Sequence, residues 1–84
     1  MDAMDYMACL NTVERIGLRL CQGDALAPES VEIVRWHRSY RGKAGYDDEA
    51  VIAGLSYARD ALVRYVPGDP LVAEADALLG SVRP

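Results

Sequence analysis

The sequence contains few of the residues from which catalytic and metal sites are built. Its 84 residues include one histidine, His37, and two cysteines, Cys9 and Cys21. Structural zinc sites take about four such ligands at short, characteristic spacings, and this set matches none of those spacings. The basic turn at 41–45 lacks the preceding strand and the full glycine pattern of a phosphate-binding loop. We therefore predict a protein that is not an enzyme and that holds no metal or cofactor.

Long hydrophobic runs are also absent. No window approaches the run of about 18 apolar residues that a membrane-spanning helix requires. The first residues include Asp2 and Asp5, at positions where a secretion signal has positive charge, and no long apolar segment follows them. These features predict a cytoplasmic protein with no membrane partner.

The two cysteines are predicted to be reduced. On one straight helix, Cys9 and Cys21 would lie about 18 Å apart, because each residue adds about 1.5 Å along the helix axis. A disulfide requires Cα atoms within about 7 Å of each other, so the two cannot pair within the chain. We expect both side chains to be small, buried hydrophobes.

Apolar residues at helical spacing are abundant. Hydrophobic residues make up 51% of the sequence, which is enough to build the core of a single domain over residues 1–84. No segment alternates apolar and polar residues as a strand does. The sequence predicts an all-α fold, a small compact bundle of about four helices at approximately 3–22, 28–43, 47–66 and 70–79. Residues 82–84 are expected to fray.

Several residues are typical of helix ends. Asp47 and Asp69 are predicted N-caps, and Pro70 suits the first position of a helix. Gly80 is predicted to end the fourth helix. Gly54 is predicted to face inward, where it would permit another helix to approach closely.

The apolar face of the first helix is wide. Its residues are Tyr6, Cys9, Leu10, Val13, Ile16, Gly17, Leu20 and Cys21. A face of this width contacts two neighbouring helices, or one neighbour and a partner. Because Gly17 and Gly54 would suit close helix contacts, a homodimer through this face is one expectation.

His37 lies on the apolar stripe of the second helix, with Ile33, Trp36 and Tyr40. This position predicts a packed histidine that makes one hydrogen bond. The alternative is a general base or a pH switch. A general base needs a nucleophile beside it, and no residue pattern in the sequence indicates one.

The second helix is strongly basic in an acidic chain. The chain has 13 acids and nine bases, a net charge of −4 and a pI of about 4.7. The basic residues at 35–43 could form a solvated face paired with Glu29 and Glu32, contact an acidic protein, or contact nucleic acid. A helix-turn-helix is disfavoured, because the third helix would bring the acids at 47–49 against phosphates.

These features predict a small acidic protein-binding module that acts by stoichiometric contact, as an adaptor, anti-activator or inhibitor. One example is a phage-encoded inhibitor of a host defence complex, such as an anti-CRISPR protein, whose acidic surface would occupy a groove meant for nucleic acid. The alternative is a nucleic-acid-binding regulator that uses the basic face of the second helix. The predicted partner-binding residues are Arg35, Arg38, Arg41, Lys43, Asp47, Asp48 and Glu49.

Overall fold

Four stretches of apolar residues at helical spacing fold as four α-helices. The computed structural model describes residues 1–22, 27–41 and 47–82. The helices are α1 (Ala3–Leu20), α2 (Glu29–Arg41), α3 (Asp48–Tyr65) and α4 (Pro70–Val82), and these described ranges contain no strand. The predicted all-α bundle of about four helices is confirmed.

Aspartate side chains cap three of the four helices. Asp2 Oδ1 accepts a hydrogen bond from the Asp5 N–H at 2.8 Å, and Asp47 Oδ1 accepts one from the Ala50 N–H at 3.2 Å. Asp69 Oδ1 accepts from the Leu71 N–H at 2.9 Å, immediately before Pro70. Each contact satisfies a backbone donor that has no partner within its helix. The predicted caps at Asp47 and Asp69 are confirmed, and Asp2 adds a third.

Replacing the α3 cap provides a direct test of this arrangement. We expect Asp47→Ala to lower the free energy of unfolding by about 1 kcal/mol, since the Ala50 N–H loses its acceptor. Asp47→Asn keeps an acceptor oxygen at the same position and should stay close to the parent protein. Urea unfolding followed by circular dichroism measures both. Equal destabilisation by the two variants would contradict a capping role.

The fourth helix continues past the glycine that was predicted to end it. Gly80 lies within α4, and the helix reaches Val82. Glycine costs about 1 kcal/mol relative to alanine inside a helix. Val82 is partly buried and packs against the core, as does Leu78 one turn before it. Burial of these side chains offsets the cost at Gly80, so the predicted stop was wrong. Residues 83 and 84 lie outside the described residues.

Helix α1 is the centre of the bundle and contacts each of the other three helices. Helix α3 also contacts all three, whereas α2 and α4 make no contact with each other in the part of the chain that the structure describes. The largest fully buried side chains are Leu10, Ile16, Leu20, Leu55, Leu62, Val13, Val51 and Cys9. Three neighbours within one chain therefore explain the width of the α1 apolar face, which had motivated the homodimer.

The two glycines assigned to close helix contacts make them within the chain. A Cβ atom built at Gly17 would lie 3.1 Å from Cγ2 of Val34 and 3.2 Å from Cγ2 of Ile33. At Gly54 the built Cβ would overlap the indole of Trp36, with Cε2 and Cη2 both at 2.6 Å. The predicted close approach at Gly54 is confirmed, and the element that approaches is α2 of the same chain.

The cysteines differ in burial. Cys9 is fully buried in α1, and burial raises the pKa of its thiol, with a further contribution from Asp5. Cys21 is exposed, because α1 ends at Leu20 and Cys21 is its C-cap. Neither forms a disulfide. The prediction of a buried side chain was right for Cys9 and wrong for Cys21, where the helical period no longer sets the direction of the side chain.

Candidate functional site

The exposed side of α2 carries three arginines along one stretch of surface. Arg35, Arg38 and Arg41 are all exposed and follow one another at intervals of three residues. Within residues 1–22, 27–41 and 47–82, Arg35 and Arg38 make no ion pair and no side-chain hydrogen bond, and Arg41 makes no ion pair. Lys43, the fourth predicted base, lies outside the described residues.

Every other described arginine is paired with a carboxylate. The N–O distances are 2.9 Å for Arg15–Glu74, 2.9 Å for Arg19–Asp69, 2.8 Å for Arg59–Asp76 and 2.8 Å for Arg64–Glu29. In an acidic chain, carboxylates are in excess, so three arginines without an ion pair are exceptional, and two of them, Arg35 and Arg38, also lack a side-chain hydrogen bond among the described residues. The α2 arginines therefore have donors available for groups outside the chain.

The two acids of α2 do not neutralise this surface. Glu29 accepts hydrogen bonds from Arg64 at 2.8 Å and from the Tyr65 hydroxyl at 3.1 Å. Glu32 accepts one from the Tyr57 hydroxyl at 2.8 Å. Both carboxylates thus bind side chains of α3. The predicted pairing of the basic run with Glu29 and Glu32 was wrong for Arg35, Arg38 and Arg41, because both acids bind side chains of α3. The three arginines are exposed, as a solvated face would be.

Apolar side chains lie beside the unpaired arginines. Leu18 of α1 is 52% exposed and Val31 of α2 is 58% exposed. Two shallow grooves, of about 310 and 320 Å³, meet at Val34 and Arg38 between α1 and α2. We call this surface the α1/α2 face and define it by Leu18, Cys21, Val31, Val34, Arg35 and Arg38. It combines exposed apolar area with positive charge, and Glu14 also lines one of the two grooves.

Arg41 is held at one end of this face by a hydrogen-bond network. Its Nε donates to Nε2 of His37 at 2.9 Å, and its Nη2 donates to Oδ1 of Asn11 at 2.9 Å. Glu14 Oε2 lies 3.6 Å from the same His37 nitrogen. The network joins the end of α2 to α1. Arg41 is therefore oriented by the fold, whereas Arg35 and Arg38 project from it without a partner among the described residues.

His37 is a packed histidine, as predicted. Only 5% of its surface is exposed, and Nε2 accepts the hydrogen bond from Arg41. A ring nitrogen that accepts a hydrogen bond carries no proton of its own, so the His37 ring is neutral in this arrangement. Burial lowers the pKa of His37, the charge of Arg41 lowers it further, Glu14 opposes the shift, and Arg38 adds to it. The lone pair that a general base would use is occupied by Arg41.

This shift predicts a pH dependence of stability with a definite sign. The unfolded chain binds a proton at His37 near pH 6.5, whereas the folded chain binds it only at lower pH. The contribution of His37 to the free energy of unfolding should therefore be largest above pH 6.5. It should fall as the pH decreases from 6.5 through the pKa of His37 in the folded chain. Urea unfolding between about pH 7.5 and pH 5 measures the slope.

The matched control for this pH dependence is His37→Gln. Glutamine keeps an acceptor for Arg41 but does not titrate. The variant should lose the part of the slope that lies just below pH 6.5. A slope of the same size in parent and variant would contradict the assignment to His37.

The acidic residues predicted to bind a partner lie at the start of α3. Asp47 caps the helix, and Asp48 Oδ2 lies 2.8 Å from the amino group of Met1. Glu49 is exposed and makes no contact of this kind with the described residues. No hydrogen bond or ion pair between described residues joins these acids to Arg35, Arg38 or Arg41. The predicted site residues thus form two separate groups. Asp47 and Asp48 have partners within the described residues, whereas Arg35 and Arg38 have none.

Two exposed apolar residues of the face, Leu18 and Val31, were not among the predicted site residues. Both lie at the edge of an apolar stripe, where periodicity alone assigns them to the core. Their exposure depends on where α2 crosses α1, which the sequence pattern does not specify. The sequence signal that could have found Leu18 and Val31 is an aliphatic residue at the margin of a wide apolar stripe, close to an arginine.

Nothing in the described residues resembles a metal centre or a membrane span. No group of three or more His, Cys, Asp or Glu side chains there could hold a metal ion. None of the helices described is long and apolar enough to cross a membrane. No protein-family model, curated protein or solved structure matches the chain.

Proposed function

We propose that the chain is a small protein-binding module whose α1/α2 face binds an acidic surface of another protein. The observation behind this proposal is that Arg35 and Arg38 lack a carboxylate among the described residues, although the chain has 13 acids. A guanidinium can bind a carboxylate through two parallel hydrogen bonds, and arginine is enriched in protein interfaces.

The apolar part of the face favours a protein partner. Leu18 and Val31 are more than half exposed, and Val34 lines both grooves together with Arg38. Burying such side chains contributes about 25 cal/mol per Å² of apolar area removed from water. Nucleic-acid interfaces are more polar and more positive than protein interfaces. A phosphate backbone would leave these apolar side chains without a partner, and the net charge of −4 would repel it.

Stoichiometric contact is the mode of action that these features support. An adaptor, an anti-activator or an inhibitor needs only a specific surface and a stable fold. An inhibitor that mimics nucleic acid would depend on the acids at 47–49, of which Asp47 already caps α3. The basic α1/α2 face is therefore the stronger candidate for contact.

Paired neutralisation variants test the proposal. Arg35→Gln/Arg38→Gln removes two charges from the face, and Arg15→Gln/Arg64→Gln removes two charges from exposed ion pairs elsewhere. Each tagged protein is used to capture partners from host lysate with and without nuclease treatment. The captured protein is then purified and titrated by calorimetry. We expect the first variant to lose at least about tenfold in affinity and the second to bind like the parent.

Two results would overturn this function. The first is equal binding by the two double variants, which would place the contact elsewhere. The second is capture that disappears after nuclease treatment, which would make nucleic acid the ligand of Arg35 and Arg38. In that case the affinity should also fall linearly with the logarithm of salt concentration.

A further inference from the structure

A separate cleft lies between α1, α2 and α3, and none of its lining residues belongs to the α1/α2 face. It has a volume of about 320 Å³ and is lined by Val13, Glu32, Ile33, Trp36, Gly54 and Tyr57. Small-molecule sites in proteins start at about 300 Å³ and combine apolar walls with a few polar groups. This cleft has that size and that composition.

Among the residues that the structure describes, Glu32 is the only charged one that lines the cleft. Its carboxylate accepts the hydrogen bond from the Tyr57 hydroxyl at 2.8 Å, and it makes no ion pair with any described residue. This hydrogen bond is the largest cause of the raised pKa of Tyr57, so the phenol stays a donor to Glu32. The carboxylate of Glu32 therefore lines an apolar cleft without an ion pair to any described residue.

Trp36 forms an aromatic wall of the same cleft. Its ring stacks on Tyr40 with centroids 4.6 Å apart, and its six-membered ring lies directly over Gly54. The indole is only partly buried. Tyr40 and Gly54 both pack on the indole, so what the ring offers the cleft is apolar area. The charge preference of the cleft therefore comes from Glu32.

We propose that this cleft binds a small apolar molecule that bears a cationic amine, with the amine at Glu32 and the apolar part against Trp36. Charge complementarity selects this class of ligand, because the lining residues that the structure describes include one carboxylate and no base. The site is independent of the protein-binding face, so either assignment stands if the other fails.

Three probes of similar shape and different charge test the proposal. They are phenethylamine, the neutral 2-phenylethanol and the anionic 3-phenylpropionate. Binding is followed by the fluorescence of Trp36, the single tryptophan of the chain, and by amide chemical shifts in two-dimensional NMR. We expect the amine to bind at least about fivefold more tightly than the carboxylate, with the alcohol between them.

Two variants locate the charge that selects the ligand. Glu32→Gln keeps an acceptor for Tyr57 and removes the charge, and it should reduce the affinity for the amine to that for the alcohol. Glu29→Gln removes the other acid of α2, which pairs with Arg64 and does not line the cleft, and it should leave the preference unchanged. Circular dichroism verifies that both variants fold.

Three outcomes would overturn the proposal. They are equal affinities for the amine and the carboxylate, no saturable signal from the amine at millimolar concentration, and a preference for the amine that survives Glu32→Gln. Amide shifts that cluster away from Trp36 and Gly54 would overturn it as well.

Discussion

Gly54→Ala is expected to destabilise the protein, although alanine is the better helix former. The added Cβ would overlap the ring of Trp36, which a rigid indole cannot avoid by bending. The ring must move as a unit, and its stacking on Tyr40 at 4.6 Å would be lost. Overpacking of this kind costs about 1–3 kcal/mol. Urea unfolding should show the loss, and the emission of Trp36 should shift to longer wavelength as the indole becomes exposed.

Gly80→Ala is the matched control, because both glycines lie within a helix but only Gly54 has a side chain packed against the position of the added Cβ. No heavy atom lies within 4 Å of a Cβ built at Gly80. Alanine there should stabilise the protein by about 0.5–1 kcal/mol, since glycine costs that much inside a helix. The same glycine-to-alanine substitution should thus lower the free energy of unfolding at Gly54 and raise it at Gly80. Stabilisation by both would show that Trp36 does not pack on Gly54.

The sequence predicts the helices well because their signals are local. Apolar spacing within one helix and capping residues such as Asp47 and Asp69 act over a few residues. The packed state of His37 follows in the same way from its position on an apolar stripe. The end of α4 was missed because Gly80 has a local preference that burial of Val82 outweighs.

The candidate site was predicted only in part, because it depends on contacts between helices. The sequence indicates a basic α2, but whether Arg35 and Arg38 stay unpaired depends on where Glu29 and Glu32 point. Those acids bind side chains of α3 that lie 25 to 36 positions away in the sequence. Helical spacing specifies which face of a helix is buried and not which neighbour buries it.

The same distinction explains the wide apolar face of α1. A partner chain and a second helix of the same chain present similar apolar side chains, so the sequence cannot separate them. The contacts of α1 with three helices use most of this face. The apolar side chains of α1 that remain exposed are Met4, Met7 and Leu18, and of these Leu18 contributes to the α1/α2 face.

Leu10→Ala is expected to have the largest effect of any single truncation considered, because Leu10 is fully buried in α1, which contacts all three other helices. Such a change costs about 2–5 kcal/mol. A domain of 84 residues has a total stability of about 4–13 kcal/mol, so the variant should be largely unfolded at moderate urea concentration. The loss of the helical signal in circular dichroism measures the change.

Leu18→Ala is the control on the same helix, with the same atoms removed from a side chain that is 52% exposed. It should stay within about 0.5 kcal/mol of the parent in stability, as surface substitutions usually do. If the α1/α2 face binds a partner, this variant should nevertheless bind more weakly. The pair therefore separates two expected uses of α1, since Leu10 is expected to support the fold alone and Leu18 the binding that we propose. Equal destabilisation by the two truncations would contradict this division.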